Sequence, residues 1–400
     1  MNSNSTPARS LRKPSIILLG GSLVVLVSLG LRANFGLFLK PMSIQFGWGR
    51  EIFAFAMAIQ NLLWGAFQPF AGAVSDRWGT GRVVAAGGIL YTSGLYIMSA
   101  TTNSFTLYLG AGLFIAMGLS SAGLGVILGA VGRSVRPDQR SWALGIVTAA
   151  GSLGQFSMVP LGQTFLSHYG WSKAFQLLGL CALIMIPLSI ALRSQSEPSK
   201  DTYAQPIGEA LHAARRHKGF WFLSAGFFVC GFHVAFIGVH LPSYLTDAGL
   251  ATELGAMSLS LIGLFNLFGS LTSGILGGRL SKKYLLSLLY LLRAVVFFIF
   301  IIVPLSKWSA LGFSAVIGLL WLSTVPLTSG LVAQIFGPRY MTMLFGIVFF
   351  SHQVGSFIGV WLGGYLFDQT GSYTAVWWLS VALGIMAALL HLPIDEKPTK

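Results

Sequence analysis

The sequence predicts an all-α membrane protein in which twelve transmembrane helices form two pseudo-symmetric six-helix bundles. Three observations lead to that fold class: long apolar runs, few charged residues, and a sequence repeat that relates the two halves of the chain. Only 9% of the 400 residues are charged, whereas a water-soluble domain has about 25%. A water-soluble globular protein is therefore excluded, because it would have too few charges to cover its surface.

The transmembrane helices are predicted from segments of about 20 mostly apolar residues. Twelve segments meet that requirement: 15–40, 51–74, 82–101, 105–131, 141–165, 173–193, 219–245, 254–278, 284–304, 309–332, 341–366 and 373–392. The first run is too long for a signal-peptide core, and no small-residue cleavage site is evident near it. The runs do not alternate in hydropathy as the roughly ten-residue strands of a membrane β-barrel do.

Lysine and arginine are distributed unevenly between the connections. Nineteen of the 25 lie in the termini and in the connections predicted to share their side of the membrane. The four on the other side are Lys40, Arg50, Lys173 and Lys307. Because cytoplasmic segments carry an excess of these residues, both termini are predicted to be cytoplasmic and the protein to lie in the cell inner membrane. The bias also accounts for the net charge of +14 without nucleic acid as a partner, and we expect a monomer in the lipid bilayer.

The longest connection, 194–218, divides the chain into two sets of six helices. It begins with serine and proline and continues with an amphipathic pattern that ends in basic residues. This pattern predicts a helix at the membrane surface, with a partner-binding helix as the alternative. The predicted organisation is a tail (1–14), a bundle (15–193), the linker (194–218), a second bundle (219–392) and a tail (393–400).

Glycine is frequent, with 49 residues. In the eleventh predicted helix, Gly355, Gly359 and Gly363 follow one another at four-residue spacing. Small residues at that spacing let two helices approach closely, so we expect tight packing along this face.

The two halves are similar where their second helix leads to their third. Residues 72–82 read GAVSDRWGTGR, and residues 274–283 read GILGGRLSKK. Two similar six-helix halves joined by a basic linker are typical of secondary transporters, whose substrate site lies near the bilayer midplane between the halves.

The first of these segments resembles the G-x-x-x-D-R-x-G-x-[RK]-[RK] loop of the major facilitator superfamily, with Gly81 in place of the first residue of the closing basic pair. Residues 35–50 and 143–154 resemble its monocarboxylate-porter-like and oxalate/formate-antiporter-like branch. The resemblance covers essentially the whole chain. It implies the major facilitator fold, alternating access, and transport of small organic anions that is often coupled to protons. The residues it assigns to a cytoplasmic gate are Gly72, Asp76, Arg77, Gly79 and Arg82; a solvated loop is the alternative.

The predicted helix interiors carry no acidic residue, since all 11 lie at helix ends or in connections. The interiors do carry Arg32, Arg293, His233 and His352. A cavity of that sign attracts anions and repels cations. Independently of the resemblance, this predicts a small anionic substrate, and no residue pattern calls for a cofactor or a metal.

Arg32 is the strongest candidate for the substrate site. It lies about eight residues, or ~12 Å, from the predicted outer end of the first helix, and its guanidinium can hold a carboxylate through two hydrogen bonds. The alternative is an arginine whose side chain reaches the interface, but that reach covers only part of the distance. Arg293 lies in the ninth helix, which is usually peripheral in this fold, so we expect it to cap carbonyls or to bind a lipid head group.

Two histidines are the candidates for proton coupling, because histidine titrates near neutral pH; packing is the alternative role for His233 and His352. Several amides and one tryptophan lie at a similar depth, where they either line the site or hold helices together. The predicted substrate-binding residues are Arg32, Gln60, Asn61, Gln155, His233, Asn266, Trp321, His352 and Gln353.

Other functions are weighed against an anion transporter. An exporter of amphipathic or aromatic compounds is the second candidate, because 30 Phe and 11 Trp are enough to line an apolar pocket. An intramembrane protease needs a Ser/His pair, paired aspartates or a His-Glu-x-x-His motif, but the interiors hold no aspartate and that motif is absent. The phosphate-binding loop of a primary pump is also missing, so we expect a secondary transporter and not an enzyme.

Overall fold

The computed structural model describes residues 13–136, 139–193, 212, 214–337 and 341–398, and in those ranges its regular structure is helical, without strands. The helices fall into twelve spans, as predicted. They are α1 (Pro14–Phe46), α2 (Arg50–Trp78), α3 (Thr80–Ser99), α4 (Ser104–Ser134), α5 (140–169), α6 (171–192), α7 (Lys218–Asp247), α8 (Thr252–Gly277), α9 (Lys282–Ile302), α10 (Lys307–Phe336), α11 (Met341–Thr370) and α12 (Thr374–His391).

Nine stretches of the described chain are long and apolar enough to cross a membrane. Two features reconcile that number with twelve spans. α5 and α6 form one continuous stretch that turns at Gly170, whose backbone leaves the helical region at φ 75°. α2 and α3 fall outside the nine, and amides such as Gln60 and Asn61 lower the hydropathy of α2.

Three spans contain an irregularity that hydropathy does not reveal. α1 turns at residues 33–34, between helices Pro14–Arg32 and Phe35–Phe46. α4 includes a π-helical stretch, Tyr108–Phe114, of the kind often found at functional sites. α10 is broken at residues 321–323. The predicted loop at 72–82 is mostly helical: α2 continues to Trp78, and Gly79, at φ 91°, alone makes the turn into α3.

The spans pack as two bundles that meet along three helix pairs. In the first, α1 lies against α5 and α3 against α4; in the second, α7 lies against α11 and α12, and α9 against α12. Between them α2 contacts α11, α5 contacts α8, and α1 contacts α7. Each bundle therefore presents its second and fifth helices to the other, as a two-fold relation requires. Most of the predicted linker helix and of the N-terminal tail lies outside the described residues.

The glycine row of α11 packs against α7 as predicted. Gly355 lies on the carbonyl of Phe228 and Gly359 on that of Phe232, while Gly363 faces the ring of His240. A side chain at Gly355 or Gly359 would overlap the backbone of α7, so this pair of helices depends on small residues.

Candidate functional site

Arg32 lies at the turn in the middle of α1, where the first helical segment ends. One guanidinium nitrogen donates to Asn61 Oδ1 on α2 at 2.5 Å, and the guanidinium carbon lies 5.0 Å from the centre of the Trp64 ring. The side chain thus lies inside the bundle and does not extend to the interface. Its Nε is buried with no hydrogen-bond partner among the described residues. The ion pairs of the described chain involve other cations, so Arg32 keeps an uncompensated charge.

The surroundings of Arg32 continue across the contact between the two bundles. Trp64 meets Phe349 of α11 edge-on, with ring centres 5.7 Å apart. Gln353, one helical turn further along α11, lies directly over Gly65, and its Nε2 is also a buried donor without a partner in the described chain. His352 stacks on Phe349 at 5.9 Å, and its Nδ1 lies 3.4 Å from Gln353 Oε1. The Arg32 cluster comprises Arg32, Asn61, Trp64, Phe349, His352 and Gln353.

Trp64 and Phe349 were not among the predicted site residues. The signal for Trp64 is its position three residues after Asn61, which places both side chains on one face of α2. Asn61 is held in place because its Nδ2 donates to the Met57 carbonyl at 2.8 Å. This leaves Oδ1 as the atom that faces Arg32.

Gln155 and Asn266 join the bundles through the other pair of helices, α5 and α8. Gln155 Nε2 donates to the Leu259 carbonyl at 2.8 Å, and Asn266 Nδ2 donates to Ser152 Oγ at 2.9 Å. Asn266 Oδ1 accepts the backbone N–H of Leu322 at the break in α10, at 3.0 Å. Protein partners thus bind these amides, which connect helices as the alternative interpretation expects.

Two predicted residues, Gln60 and His233, bond partners within their own bundles, and a third, Trp321, lies at a helix break. Gln60 donates to the Ala111 carbonyl in the π-helical part of α4 at 2.9 Å. His233 bonds the Ser380 carbonyl of α12 at 2.9 Å, with its ring 4.7 Å from Phe297 of α9. Trp321 is buried at the break in α10. The rotation of their helices directs Gln60 and His233 to these partners and away from the contact between the bundles.

Arg293 has the capping role expected of it. It is buried, and its Nε and one Nη donate to the Leu320 carbonyl at 3.1 and 2.6 Å. The same Nη also bonds the Trp321 carbonyl. These carbonyls lose their helical partners because α10 breaks there, and Arg293 satisfies them.

The residues predicted to form a cytoplasmic gate cluster at the turn from α2 to α3. Asp76 pairs with Arg133 of α4 at 2.9 Å, so it ties two helices of the first bundle together. Gly79 supplies the positive φ of the turn, and Gly72 lies in the penultimate turn of α2. Arg77 and Arg82 flank the turn with exposed side chains.

A second polar network joins the bundles at the predicted outer end, where α1, α7 and α11 end and α2 begins. Asp247 of α7 pairs with Lys40 at 2.9 Å and with Arg50 at 2.5 Å. The two carboxylate oxygens of Asp368 accept the backbone N–H groups of Arg50 and Glu51, each at 2.8 Å. The outer clasp is formed by Lys40, Arg50, Glu51, Asp247, Asp368 and Tyr373. Sequence analysis missed it, because it treated charges at helix ends only as signals of orientation.

Tyr373 completes the clasp from the beginning of α12. Its hydroxyl accepts from Arg50 Nη1 at 2.8 Å and lies 3.1 Å from His240 Nδ1. Burial raises the pKa of Tyr373 above its usual value, so the hydroxyl stays neutral and serves as a hydrogen-bond partner. The Phe367 ring lies against the Arg50 guanidinium, 3.6 Å from its carbon.

Toward the predicted cytoplasmic end, α2, α5, α8 and α11 leave space beside the faces that join the two bundles. Four glycines show this: Gly72 of α2, Gly145 of α5, Gly274 of α8 and Gly346 of α11. Residues that are seven or eleven positions apart lie on the same face of an α-helix. Each of these glycines has that spacing from a residue that touches the other bundle, and those residues are, in the same order, Gly65, Ser152, Gly263 and Gln353. Yet no described atom outside the local helix lies within 4 Å of the Cβ position of any of the four glycines named first.

Comparison with known proteins agrees with the fold and the repeat. Residues 21–359 match the family model of the Major Facilitator Superfamily. The chain is 26% identical to the uncharacterized MFS-type transporter YcxA of Bacillus subtilis, over 92% of this chain and 91% of that protein. It is 25% identical to human monocarboxylate transporter 11, over 92% and 80%, and 26% identical to bovine monocarboxylate transporter 13, over 83% and 78%.

Among solved structures, a bacterial homolog of the human lysosomal transporter Spinster, in an inward-facing and occupied conformation, superposes with a TM-score of 0.73. It is 13% identical in sequence, over 95% of this chain and 97% of that one, so the likeness concerns the fold. Two six-helix bundles, the motif at the turn from α2 to α3, and a family match over most of the chain lead to one conclusion. The chain belongs to the major facilitator superfamily of membrane transporters.

Proposed function

We propose that this protein is a secondary transporter that moves a small organic anion, a monocarboxylate, across the inner membrane by alternating access, coupled to protons. The observation that carries the proposal is that the positive charge of Arg32 has no acidic partner in the described chain. This cation lies in the middle of α1, beside the contact between the bundles, with a neutral amide and an aromatic ring as neighbours. A carboxylate is the ligand that would compensate it.

The chemistry of the Arg32 cluster suits a carboxylate. Asn61 engages one N–H of the planar guanidinium, which leaves its other N–H groups, that of Nε among them, to donate to a carboxylate. Trp64 lies near the guanidinium, where a π-face favours the cation. Gln353 Nε2 is a further donor without a partner. The ligand would thus be held by charge on the first bundle and by an amide on the second.

The relatives named monocarboxylate transporters support the choice of cargo. Alternating access is supported by the contrast between the two ends of the molecule. The outer clasp joins the bundles at one end. Toward the other end, four glycines that share a helix face with the contact residues have open space at their Cβ positions among the described residues. Rocking of the bundles about the Arg32 cluster would exchange these two arrangements.

For proton coupling, His352 is the better placed of the two histidines. It lies within the Arg32 cluster, next to Gln353, whereas His233 is bonded inside the second bundle. A histidine side chain can carry a proton, and a protonated His352 would add a second positive charge where the anion binds. Proton and anion would therefore favour each other's binding.

The test is uptake by liposomes that contain the purified protein. The panel is radiolabelled formate, acetate, pyruvate, lactate, oxalate and benzoate, each with and without a pH gradient. We expect uptake of at least one monocarboxylate, faster with acid outside. Arg32→Gln should abolish it, Arg32→Lys should retain part of it, and Lys173→Gln is the control for loss of an exposed cation away from the cluster. Unchanged uptake in folded Arg32→Gln protein would overturn the proposal.

A second candidate, export of amphipathic or aromatic compounds, is favoured by the rings of Trp64 and Phe349 beside Arg32. Apolar walls of this kind bind such compounds without needing the charge. The same liposomes loaded with a cationic dye separate the two functions. An exporter of this type would move the dye, would ignore the carboxylates, and would keep its activity in Arg32→Gln.

A further inference from the structure

The cations of the outer clasp all belong to the first bundle, and their acidic partners all belong to the second. Lys40 lies in the second segment of α1 and Arg50 begins α2, and both bind the carboxylate of Asp247. The Lys40 and Asp247 side chains remain 29% and 27% exposed, so the site they share lies at the edge of the outer water.

A second carboxylate of the second bundle lies on the N-terminus of α2. Both oxygens of Asp368 accept N–H groups of the first turn, those of Arg50 and Glu51. The N-terminus of a long helix favours negative charge, because its N–H groups and its dipole point at the ligand. The first bundle therefore carries a preformed receptor for carboxylates at this end, and two side chains of the second bundle occupy it.

A cavity of about 250 Å³ adjoins this receptor. Lys40, Ser43, Trp48, Arg50 and Asp368 are among the residues that line it. Ser43 Oγ is buried there and has no hydrogen-bond partner among the described residues. The cavity thus offers room, an additional hydroxyl and an aromatic wall next to the two cations.

We propose that Lys40, Arg50 and the N-terminus of α2 form an outer anion site, at which the transported carboxylate binds in the places that Asp247 and Asp368 occupy when the clasp is closed. The inference rests on the proposed function, because the site is vacated only if the bundles separate at this end. It assigns the site to organic carboxylates, since that is the group the two acidic side chains represent.

The physical basis is that the carboxylate of the substrate replaces the carboxylates of the clasp. Separation of the bundles removes Asp247 and Asp368 and leaves two cations and a helix N-terminus uncompensated. An arriving carboxylate restores those interactions, so it stabilises the open arrangement over the closed one, as any ligand does for the state that binds it better. Lys40 lies eight residues beyond Arg32 on α1, roughly 12 Å along the helix, so the anion would pass from one cationic site to the next.

If the clasp only holds the bundles together and binds no substrate, a different result is expected. Substituting each partner of one ion pair distinguishes these two roles. Lys40→Gln and Asp247→Asn both remove the Lys40–Asp247 pair. If the pair only locks the bundles, both variants shift the KM for the external carboxylate in the same direction, and Asp247→Asn shifts it more because it also removes the Arg50 pair. If Lys40 binds substrate, Lys40→Gln raises that KM by roughly tenfold or more, the usual loss for a charged hydrogen bond. Asp247→Asn leaves it unchanged or lower.

The experiment measures initial uptake from the outer side, in liposomes of defined orientation, with the panel carboxylate that wild type transports best. Efflux KM from the other side is the internal control, and we expect Lys40→Gln to leave it unchanged. Arg50→Gln should resemble Lys40→Gln, and Asp368→Asn should resemble Asp247→Asn. KM shifts in the same direction in Lys40→Gln and Asp247→Asn, with wild type active, would overturn the outer anion site and leave the proposed function standing. Absence of carboxylate uptake by wild type would overturn both.

Discussion

The hydrogen bond between Arg32 and Asn61 leads to a direct test of why Arg32 lacks an acidic partner. Asn61→Asp places a carboxylate 2.5 Å from the guanidinium, at the atom that already accepts from it. This internal anion competes with the substrate for the same cation. A charged hydrogen bond is worth about 1.5–3 kcal/mol, so we expect anion uptake to fall by roughly ten- to a hundredfold. Initial rates in proteoliposomes measure the effect.

Asn61→Ala is the matched control for that change. It removes the same hydrogen bond and adds no charge, so its uptake should fall much less than that of Asn61→Asp. Both proteins should elute from a sizing column as wild type does. Equal losses in the two variants would show that charge compensation at Arg32 is not what the transporter needs.

The neighbouring amides Gln60 and Asn61 show what the sequence predicts at the scale of a residue and what it does not. Depth in the membrane follows from counting residues, and both side chains lie in the middle of α2, as expected. Direction depends on the rotation of the helix, and one residue turns a side chain by about 100°. Asn61 therefore meets Arg32, whereas Gln60 bonds a carbonyl of α4. The rotation of α7 likewise directs His233 to a carbonyl of α12.

At the scale of the helices, the open glycines of the four contact helices predict how the other end closes. Gly72 and Gly346 lie on facing sides of α2 and α11, with empty space at their Cβ positions. Gly72→Phe and Gly346→Phe should therefore fold normally in the arrangement seen here. They should oppose the arrangement in which α2 and α11 meet at this end. Overpacking costs about 1–3 kcal/mol, so uptake should fall by roughly five- to a hundredfold.

Gly312→Phe in α10 supplies the comparison for these variants. Gly312 also has no described atom within 4 Å of its Cβ position, but it lies on α10, outside the helix pairs that join the bundles. Its substitution should leave both expression and uptake near wild type. If Gly72→Phe and Gly346→Phe transport as well as Gly312→Phe does, the ends of α2 and α11 do not approach during transport.

The sequence predicts the existence of the helices better than their interruptions. Lipid offers no hydrogen bonds to the backbone, so each span must be long, apolar and helical, and all twelve were located. The break in α10 leaves no mark in hydropathy, because Trp321 and Leu322 are as apolar as their neighbours. What permits it is the distant side chain of Arg293, which binds the carbonyls that the break exposes.

For the whole molecule, the repeat predicted two similar halves, and the structure shows which helices they use to meet. α2 faces α11 and α5 faces α8, so each of these two contacts joins unlike members of the repeat. The outer clasp could not be predicted from the sequence, because its residues are far apart along the chain. Lys40 and Asp247 are about 200 residues apart in the sequence, and only the docking of two complete bundles brings them together.

Because the clasp joins the bundles, a covalent bond across it should arrest the transport cycle. Lys40→Cys with Asp247→Cys, in a background in which Cys181 and Cys230 are replaced by alanine, places two thiols where the ion pair stands now. A bifunctional methanethiosulfonate should join them and abolish uptake, and a reductant should restore it. The single variants treated with the same reagent control for modification alone. Rocking requires the outer ends to separate in every cycle, so a cross-linked protein that still transports would contradict alternating access.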